Sequence, residues 1–382
     1  MPGATDVKLF RLVVVAVNLL AAESAFAWNS AGHMTVAAVA YKKLTPAVRK
    51  KVDALVRLNP DYPGWVANAS SGNRDQVAFV MAATWPDMIK HEAGYTNDGD
   101  HPSGPDAARN IGYPDKLQHR YWHYIDIPFS PDGTPLKQPP SPNARTQIAA
   151  FREVLASATA SNDLKSYDLV WLLHLVGDVH QPLHATSRFD RDQPNGDRGG
   201  NLVALCAAPC KNELHAFWDD LLGTSADPRA AIRKGDDLPE PDPHFAAIAD
   251  PATWIEQSFQ AATMAVYVDP IGIGPGPFTV DSQYEKQARA RALKMVALAG
   301  ARLANLLNGS LKTVVLGART RADEPRVGTA TERMVIFNQH SLKFHDPNCA
   351  WAHRCTRNCI SVPLSEAIKQ GGAPCKVCGG GT

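Results

Sequence analysis

The segment from residue 171 to residue 184 constrains the fold most strongly. It reads W-L-L-H-L-V-G-D-V-H-Q-P-L-H and places polar residues inside an apolar run. In a helix, His174 and Asp178 are four residues apart and lie on the same face. Burying an imidazole and a carboxylate without partners would cost several kcal/mol. The segment therefore predicts a buried helix whose polar face binds something, and Pro182 is expected to kink or end that helix before His184.

A metal ion is the partner that the rest of the chain favours. His215 and Asp219 repeat the spacing of His174 and Asp178. One such pair alone is more typical of a surface ion pair, whereas two pairs in one domain are a stronger signal. Other candidate ligands are the Trp28 amino group, His33, Asp87, His123 and His184. Imidazole and carboxylate ligands suit Zn²⁺.

The first 27 residues have the pattern of a secretory signal peptide. Lys8 and Arg11 precede an apolar run over 12–22, and Ala25-Phe26-Ala27 matches an A-x-A cleavage signal. Cleavage there would make Trp28 the mature N-terminus. No later apolar run has the roughly 18 residues that a membrane span needs. We therefore expect an exported protein, periplasmic or extracellular, that does not bind membranes.

Helical periodicity dominates the chain after the signal peptide. It predicts helices within 33–58 (interrupted at Pro46), 74–91, 145–160, 166–181, 212–222 and 284–307, the last one stopped by Asn308-Gly309. Long loops are expected over 91–115, 129–144 and 185–211. The fold class is therefore mainly α with long loops. We divide the chain into a main domain, 28–308, a linker, 309–335, and a Cys-rich module, 336–382.

The charge distribution limits what the main domain can bind. Counting charged side chains, residues 28–308 carry a net charge of −4, while 309–335 carry +2 and 336–382 carry +3. The main domain therefore cannot hold a polyanion by bulk attraction. Phosphate binding there requires local positive charge, and metal ions are one source of it.

The cysteines leave two interpretations open. The C-terminal module contains Cys349, Cys355, Cys359, Cys375 and Cys378, with a spacing close to that of a zinc ribbon. Export to an oxidising compartment favours disulfides instead. Cys206 and Cys210 bound part of the polar loop in the main domain and are predicted to pair.

Several motifs occur together and in a fixed order. They are Trp28-Asn29-Ser30-x-Gly32-His33, Trp85-Pro86-Asp87, His123-Tyr124-Ile125-Asp126, the segment 171–184, and Leu214-His215-x-x-x-Asp219. In this combination the chain resembles the S1/P1 nuclease family of zinc-dependent single-strand nucleases and 3′-nucleotidases, which is related in fold to zinc phospholipase C. The resemblance covers residues 28 to about 308. It implies a phospholipase C/P1 nuclease-like helical domain.

The resemblance implies three zinc ions with nine ligands. One ion would be held by Asp87, His123, His174 and Asp178, a second by Trp28, His33 and Asp178, and the third by His184, His215 and Asp219. Asp178 would then bridge two ions. Asp87, Asp178 and Lys90 are the catalytic residues that the resemblance suggests, with Lys90 standing where fungal members have an arginine.

The resemblance also suggests substrate contacts. Tyr124 stands where the family has an aromatic residue that stacks on a base, and Asn201 matches a base-contacting asparagine. Asp126 could accept hydrogen bonds from a base edge or could orient His123; both roles stay open. The tail from Phe344 to Cys378 loosely resembles the small metal-binding domain of bacterial alkylation-repair proteins, which would add a fourth zinc ion.

The expected function is hydrolysis of RNA and single-stranded DNA to 5′-phosphate products, together with 3′-nucleotidase activity. The substrates are the only expected partners, and the protein is expected to be a monomer. One alternative is a zinc phospholipase C, although Asp219 stands where the lipase pattern has glutamate. The other is a non-catalytic protein that binds zinc or nucleic acid.

Overall fold

The structure is a computed structural model that describes residues 28–206, 212–317, 334–345, 352 and 358–375. The predicted signal peptide, most of the linker and Cys210, Cys349, Cys355 and Cys378 lie outside the described residues. The described part of the main domain is mainly α, as predicted. Within that part, no helix combines the length and the apolar character that crossing a bilayer requires.

Helices connected by long irregular segments make up the main domain. They are α1 Ser30–Lys43, α2 Pro46–Val56, α3 Tyr62–Trp65, α4 Arg74–Ala82, α5 Trp85–Met88, α6 Ala144–Ala156, α7 Asn162–Asp178, α8 Leu214–Asp219, α9 Pro228–Asp237, α10 Pro243–Ala246, α11 Pro251–Ala265 and α12 Ser282–Leu311. Short 3₁₀ turns cover Ile89–His91, Pro105–Ala108, Arg120–Trp122, Pro182–Ala185 and Asp220–Leu222. Residues 92–104 and 130–142 are irregular.

Local capping explains where several helices begin. Thr45 accepts a hydrogen bond from the Val48 N–H at the start of α2, and Pro46 occupies its first turn, which confirms the predicted interruption at Pro46. Asn143 and Thr146 form a capping box at the start of α6. The predicted helical region 74–91 divides into α4, α5 and the 3₁₀ turn Ile89–His91, with a break at Ala83-Thr84.

The predicted C-terminal end of α12 at Asn308-Gly309 is wrong. The helix continues through Asn308-Gly309 to Leu311. The Asn308 side chain does not cap the end of its own helix, because its Nδ2 donates to the Lys43 carbonyl and its Oδ1 accepts from the Thr45 N–H. The tertiary contact with the turn between α1 and α2 therefore outweighs the local stop signal.

Helix α7 forms the centre of the core. Every residue from Lys165 to Asp178 is buried, and α1, α2, α6 and α12 pack around it. The long helix α12 lies tightly against α1, since a Cβ added at Gly300 would come within 2.5 Å of Val39 Cβ. A helix that is apolar all round has to be buried in this way. The last turn of α7 therefore lies inside the domain.

Helices α9 and α11 are absent from the sequence prediction. Each begins with an Asp-Pro pair, and the aspartate of each pair accepts hydrogen bonds from backbone N–H groups of its first turn. Aspartate before a helix and proline in its first turn are a start signal that could have identified both.

Strands are few among the described residues. β1, Pro128–Phe129, pairs in parallel with β2, Ser187–Arg188. In the C-terminal module, β3 Met334–Asn338, β4 Lys343–His345, β5 Cys359–Pro363 and β6 Ala373–Pro374 form a sheet in the order β5-β3-β4-β6, with α13, Leu364–Lys369, between β5 and β6. Val335, Phe337, Phe344 and Ala367 form its small core. The sequence analysis assigned no strands to this module.

Candidate metal centre

The last turns of α7 present the first group of candidate ligands. His174 and Asp178 lie one helical turn apart, with His174 Nε2 3.3 Å from Asp178 Oδ2. His33, from α1, stacks on the His174 ring at a centroid distance of 3.7 Å. Its Nε2 lies 3.2 Å from Asp178 Oδ1. Both carboxylate oxygens of Asp178 therefore face imidazole nitrogens.

The second group shares His174 with the first. Asp87 comes from α5, and His123 follows the 3₁₀ turn Arg120–Trp122. His123 Nδ1 lies 3.0 Å from His174 Nε2 and 3.1 Å from Asp178 Oδ2. Asp87 Oδ1 lies 3.6 Å from His174 Nε2 and 3.8 Å from His123 Nδ1. Because the two groups share His174, two candidate cation positions lie next to each other.

The third group joins α8 to the segment that follows α7. Helix α7 ends at Asp178, and Pro182 starts a 3₁₀ turn that carries His184. His184 Nε2 lies 3.0 Å from His215 Nε2, which lies 3.6 Å from Asp219 Oδ2. Within each of the three groups, one ligand atom per residue lies within 4.8 Å of the others. All nine predicted ligand residues except Trp28 belong to a group.

Backbone carbonyls fix the orientation of three imidazoles. A carbonyl only accepts hydrogen bonds, so the ring nitrogen facing it must be the donor. Nδ1 of His174 donates to Ala83 O (2.7 Å), Nδ1 of His184 to His123 O (2.9 Å), and Nδ1 of His215 to Gly199 O (2.6 Å). Each Nε2 therefore carries a lone pair directed into the site, as a metal ligand requires.

This arrangement fits zinc. The lone pairs of His184 Nε2 and His215 Nε2 face each other at 3.0 Å, which is repulsive unless a cation lies between them. Tetrahedral zinc with Zn–N bonds of about 2.0–2.1 Å separates two nitrogen ligands by about 3.3 Å. In addition, His33 Nε2, His123 Nε2 and Asp178 Oδ1 are buried and make no hydrogen bond within the structure. Buried polar atoms of this kind need a partner.

Burial sets the protonation states of the site. Desolvation lowers the pKa of His33 to about 4 and lowers the pKa values of His123, His174 and His184 well below their usual value. The histidines are therefore neutral near pH 7, which is the form that binds metal. Desolvation also raises the pKa of Asp219 well above its usual range, mainly opposed by the hydrogen bond from Gln181. A bound cation would restore the ionised carboxylate.

Two glycines make the close packing of the site possible. A Cβ added at Gly177 would lie 2.8 Å from His33 Nδ1, so alanine there would press on the ring. A Cβ added at Gly32 would collide with Trp28 Cβ. Trp28 itself is buried, one turn before His33. The predicted motif around Trp28 therefore includes its glycine for a steric reason.

One residue that orients a ligand was not predicted from the sequence. Gln181 is fully buried; its Nε2 donates to Asp219 Oδ1 (2.8 Å) and its Oε1 accepts from the Leu183 N–H (2.6 Å). The side chain therefore connects the turn that carries His184 to the carboxylate of the third group. A glutamine inside an apolar, buried segment was the available signal.

Lys90 is placed against the second group. Its Nζ lies 2.7 Å from Asp87 Oδ1, and the side chain is buried. The amine therefore balances the charge of a candidate ligand. The catalytic role that the resemblance suggests for Lys90 stays a prediction.

The predicted substrate residues lie beside the ligand groups. Tyr124 directly follows His123, is partly exposed, and its hydroxyl donates to the Asp100 carbonyl. Asn201 Nδ2 lies 3.1 Å from His215 Nδ1. Burial, followed by the nearby negative charge of Asp197, raises the pKa of Asp126 to about 7. Their contacts with a substrate stay predictions.

The cysteine predictions fall mainly outside the described residues. Cys206 is described but its predicted partner Cys210 is not. In the C-terminal module, Cys359 begins β5, and Cys375 is buried, with its N–H donating to Phe344 O. Zinc binding and disulfide formation in this module both stay predictions.

Comparisons with known proteins agree with this geometry. A family model described as S1/P1 Nuclease matches residues 28–312. Endonuclease 4 of Arabidopsis thaliana is 24% identical over 238 residues, covering 57% of this chain and 62% of the relative. Nuclease S1 of Aspergillus oryzae is 25% identical over 215 residues, covering 54% and 58%. Endonuclease 3 of Arabidopsis thaliana is 26% identical over 220 residues, covering 56% and 62%. The chain thus spans less than two thirds of the length of these relatives.

Proposed function

The chain belongs to the S1/P1 nuclease family, and from this premise we propose that it is a zinc-dependent nuclease. The proposed reaction is hydrolysis of phosphodiester bonds in RNA and single-stranded DNA to 5′-phosphate products, with 3′-nucleotidase activity on mononucleotides. The observation that carries the proposal is the convergence of three buried His/Asp groups, with imidazole lone pairs directed inward. The named relatives include a nuclease and endonucleases.

The described side chains suit three adjacent zinc ions. Asp87, His123, His174 and Asp178 would hold one, and His184, His215 and Asp219 another. His33, Asp178 and the Trp28 amino group would hold the remaining ion. Zinc bound there would supply positive charge near a phosphate and would lower the pKa of water, which would make water a nucleophile near neutral pH.

The residues of the chain have separate tasks in this proposal. Asp178 offers one oxygen on the His33 side and one on the His123 side, at 3.2 and 3.1 Å, so it can bridge two ions. Gln181 directs Asp219 toward the third. Lys90 limits the negative charge of Asp87, which favours approach of an anionic substrate. Tyr124 offers a ring on which a base can stack, a contact worth about 1–3 kcal/mol.

Signal cleavage is part of the proposal. Only a chain that begins at Trp28 has a free α-amine at this position, and that amine must lose its proton to bind metal. Trp28 is fully buried and lies one turn before His33. Export to the periplasm or the extracellular space would therefore be coupled to activation.

The test uses protein that begins at Trp28. Single-stranded DNA, RNA, duplex DNA and phosphatidylcholine are offered with and without a chelator. We expect turnover of the single-stranded substrates, loss of activity with chelator, and recovery on adding zinc. Turnover of phosphatidylcholine without turnover of nucleic acid would instead show a phospholipase C. Metal binding without any turnover would show a non-catalytic zinc protein.

The variant Asp178→Asn tests the bridging ligand. We expect it to abolish turnover and to reduce the zinc content. Asp168→Asn is the matched control, because Asp168 is also a fully buried aspartate of α7 but hydrogen-bonds to Asn110, away from the metal groups. Retained turnover in Asp178→Asn would contradict the role assigned to it.

A further inference from the structure

Two arginines lie in the chain beside residues that carry or orient metal ligands. Arg120 begins the 3₁₀ turn that leads to His123. Arg198 directly precedes Gly199, whose carbonyl accepts the hydrogen bond from His215. The two arginines, named here the arginine rim, are therefore attached to the backbone segments that hold ligands of two different groups.

Both members of the rim face one carboxylate. Arg120 Nη1 lies 4.0 Å from Asp100 Oδ1, and Arg198 Nη1 lies 3.9 Å from Asp100 Oδ2. These distances exceed the roughly 2.7–3.2 Å of an N–H···O hydrogen bond. Asp100 lies between the guanidinium groups without a close bond to either. The Tyr124 hydroxyl donates to the Asp100 backbone carbonyl, so the candidate stacking ring borders the same place.

The protein holds the rim in position. Arg120 Nε donates to Gln118 Oε1 (3.0 Å), and Gln118 Nε2 donates to the Lys90 carbonyl (3.1 Å). On the other side, the Arg198 N–H donates to Ser187 Oγ (3.2 Å). Arg120 is therefore oriented through its side chain, and Arg198 through its backbone.

The backbone around Arg198 is unusual. Its φ is +54°, in the left-handed region, and its carbonyl accepts from Asn201 Nδ2 (2.6 Å). Non-glycine residues adopt this conformation when their surroundings enforce it, often at ligand sites. The Arg198 side chain is more than half exposed. The backbone of Arg198 is therefore fixed, while its guanidinium group stays accessible.

The charge of this place contrasts with the rest of the domain. Residues 28–308 carry a net charge of −4, but here two guanidinium groups share one exposed carboxylate. An exposed ion pair contributes little, so Asp100 is easily displaced. A phosphodiester has the same charge as a carboxylate, and guanidinium groups bind phosphate oxygens in a bidentate way.

We propose that Arg120 and Arg198 bind a backbone phosphate of the single-stranded substrate next to the cleavage site, and that Asp100 occupies this place when substrate is absent. The identity of the substrate rests on the proposed function. The consequence is a preference for chains over small phosphodiesters, because only a chain offers a second phosphate to the rim.

The experiment measures binding of a fluorescent single-stranded DNA with a phosphorothioate backbone, which resists cleavage, to the zinc-loaded protein at increasing salt. One lost phosphate contact reduces the slope of log affinity against log salt by about 0.7. We expect this reduction in Arg198→Gln and in Arg120→Gln, with about eightfold weaker binding at about 50 mM salt. Asp100→Asn should bind more tightly than the parent, because the competing carboxylate is gone.

Arg233→Gln is the matched control. Arg233 is an exposed arginine of α9 whose guanidinium lies 3.9 Å from the carboxylate of Asp227, the residue before the helix, and this distance equals that between Arg198 and Asp100. It should leave affinity and slope unchanged. The two rim variants should lose more activity on single-stranded DNA than on bis(p-nitrophenyl) phosphate, a diester without a second phosphate.

The outcomes separate the two proposals. An unchanged slope in Arg198→Gln, or a parent protein that does not bind the DNA, would overturn the phosphate subsite. Binding with the expected slopes but without cleavage of ordinary DNA would overturn the nuclease function and support the subsite. Losses of bis(p-nitrophenyl) phosphate hydrolysis as large as the losses on single-stranded DNA would show damage to the metal groups and would also overturn the phosphate subsite.

Discussion

Replacing Gly177 by alanine tests whether His33 has to lie where the structure places it. The His33 ring is held between two neighbours. One face stacks on His174 at 3.7 Å, and a Cβ added at Gly177 would approach from the helix at 2.8 Å from Nδ1 and 3.2 Å from Cε1. The ring therefore cannot move away from an alanine without disturbing the stack.

The size of the effect follows from these distances. The added Cβ would lie 2.8 Å from His33 Nδ1, about 0.6 Å closer than the 3.4 Å at which ordinary contact begins. Metal–ligand distances tolerate only about 0.2 Å. We therefore expect the zinc affinity of the position that His33 would occupy as a ligand to fall by at least about tenfold. Substitutions of residues that support a metal ligand typically have effects of this size. Helix propensity works in the opposite direction, since alanine is better than glycine inside a helix by about 1 kcal/mol.

The assay combines zinc content, zinc titration against a competing chelator, and thermal unfolding of the metal-free protein. We expect Gly177→Ala to retain fewer zinc ions than the parent, with little loss of metal-free stability. Gly309→Ala is the matched control, because Gly309 also lies inside a helix and nothing lies within 4 Å of an added Cβ. It should keep all zinc ions. Unchanged zinc content and affinity in Gly177→Ala would refute the reasoning.

Three further predictions follow from other contacts. Gln181→Leu removes the hydrogen bond to Asp219 and should weaken the third zinc ion by about 10–100-fold in a zinc titration; unchanged affinity would contradict the orienting role. Burial raises the pKa of Asp168 to about 8, so the folded state binds this proton more tightly than the unfolded state and stability falls as pH rises from about 4 to 8. Asp168→Asn removes this loss, and its melting temperature should gain on that of the parent between about pH 4 and 8; a constant difference would contradict the assignment. A form that retains residues before Trp28 should bind fewer zinc ions and be nearly inactive, and full turnover would exclude the amine as a ligand.

The position of α7 was predictable because its pattern is strong. An apolar run with Pro182 behind it leaves few alternatives to a buried helix, although the helix begins at Asn162 and ends at Asp178, earlier than expected at both ends. The end of α12 was not predictable from its local stop signal. Asn308 binds the turn between α1 and α2, and a contact between segments so distant in sequence leaves no local pattern.

The candidate site was likewise predictable in part. The types and order of the ligands are visible in the sequence, because imidazole and carboxylate pairs four residues apart are unusual in apolar helices. The orienting groups are largely invisible, since the carbonyls of Ala83, His123 and Gly199 are backbone atoms that any residue could supply. Asp100 gave no signal either, because an aspartate in a loop of Gly, Pro and Asp residues looks like an ordinary solvated one.

Residue types and their spacing were enough to identify the side chains that could bind metal, the mainly α character of the main domain, and the family that the chain resembles. The folded arrangement was needed to see that His33 stacks on His174, that His184 faces His215 at 3.0 Å, and that two arginines converge on Asp100. The reason is physical. Residue type and periodicity record chemistry and burial, which are local, whereas the direction of a lone pair or a guanidinium depends on backbone brought in from elsewhere in the chain.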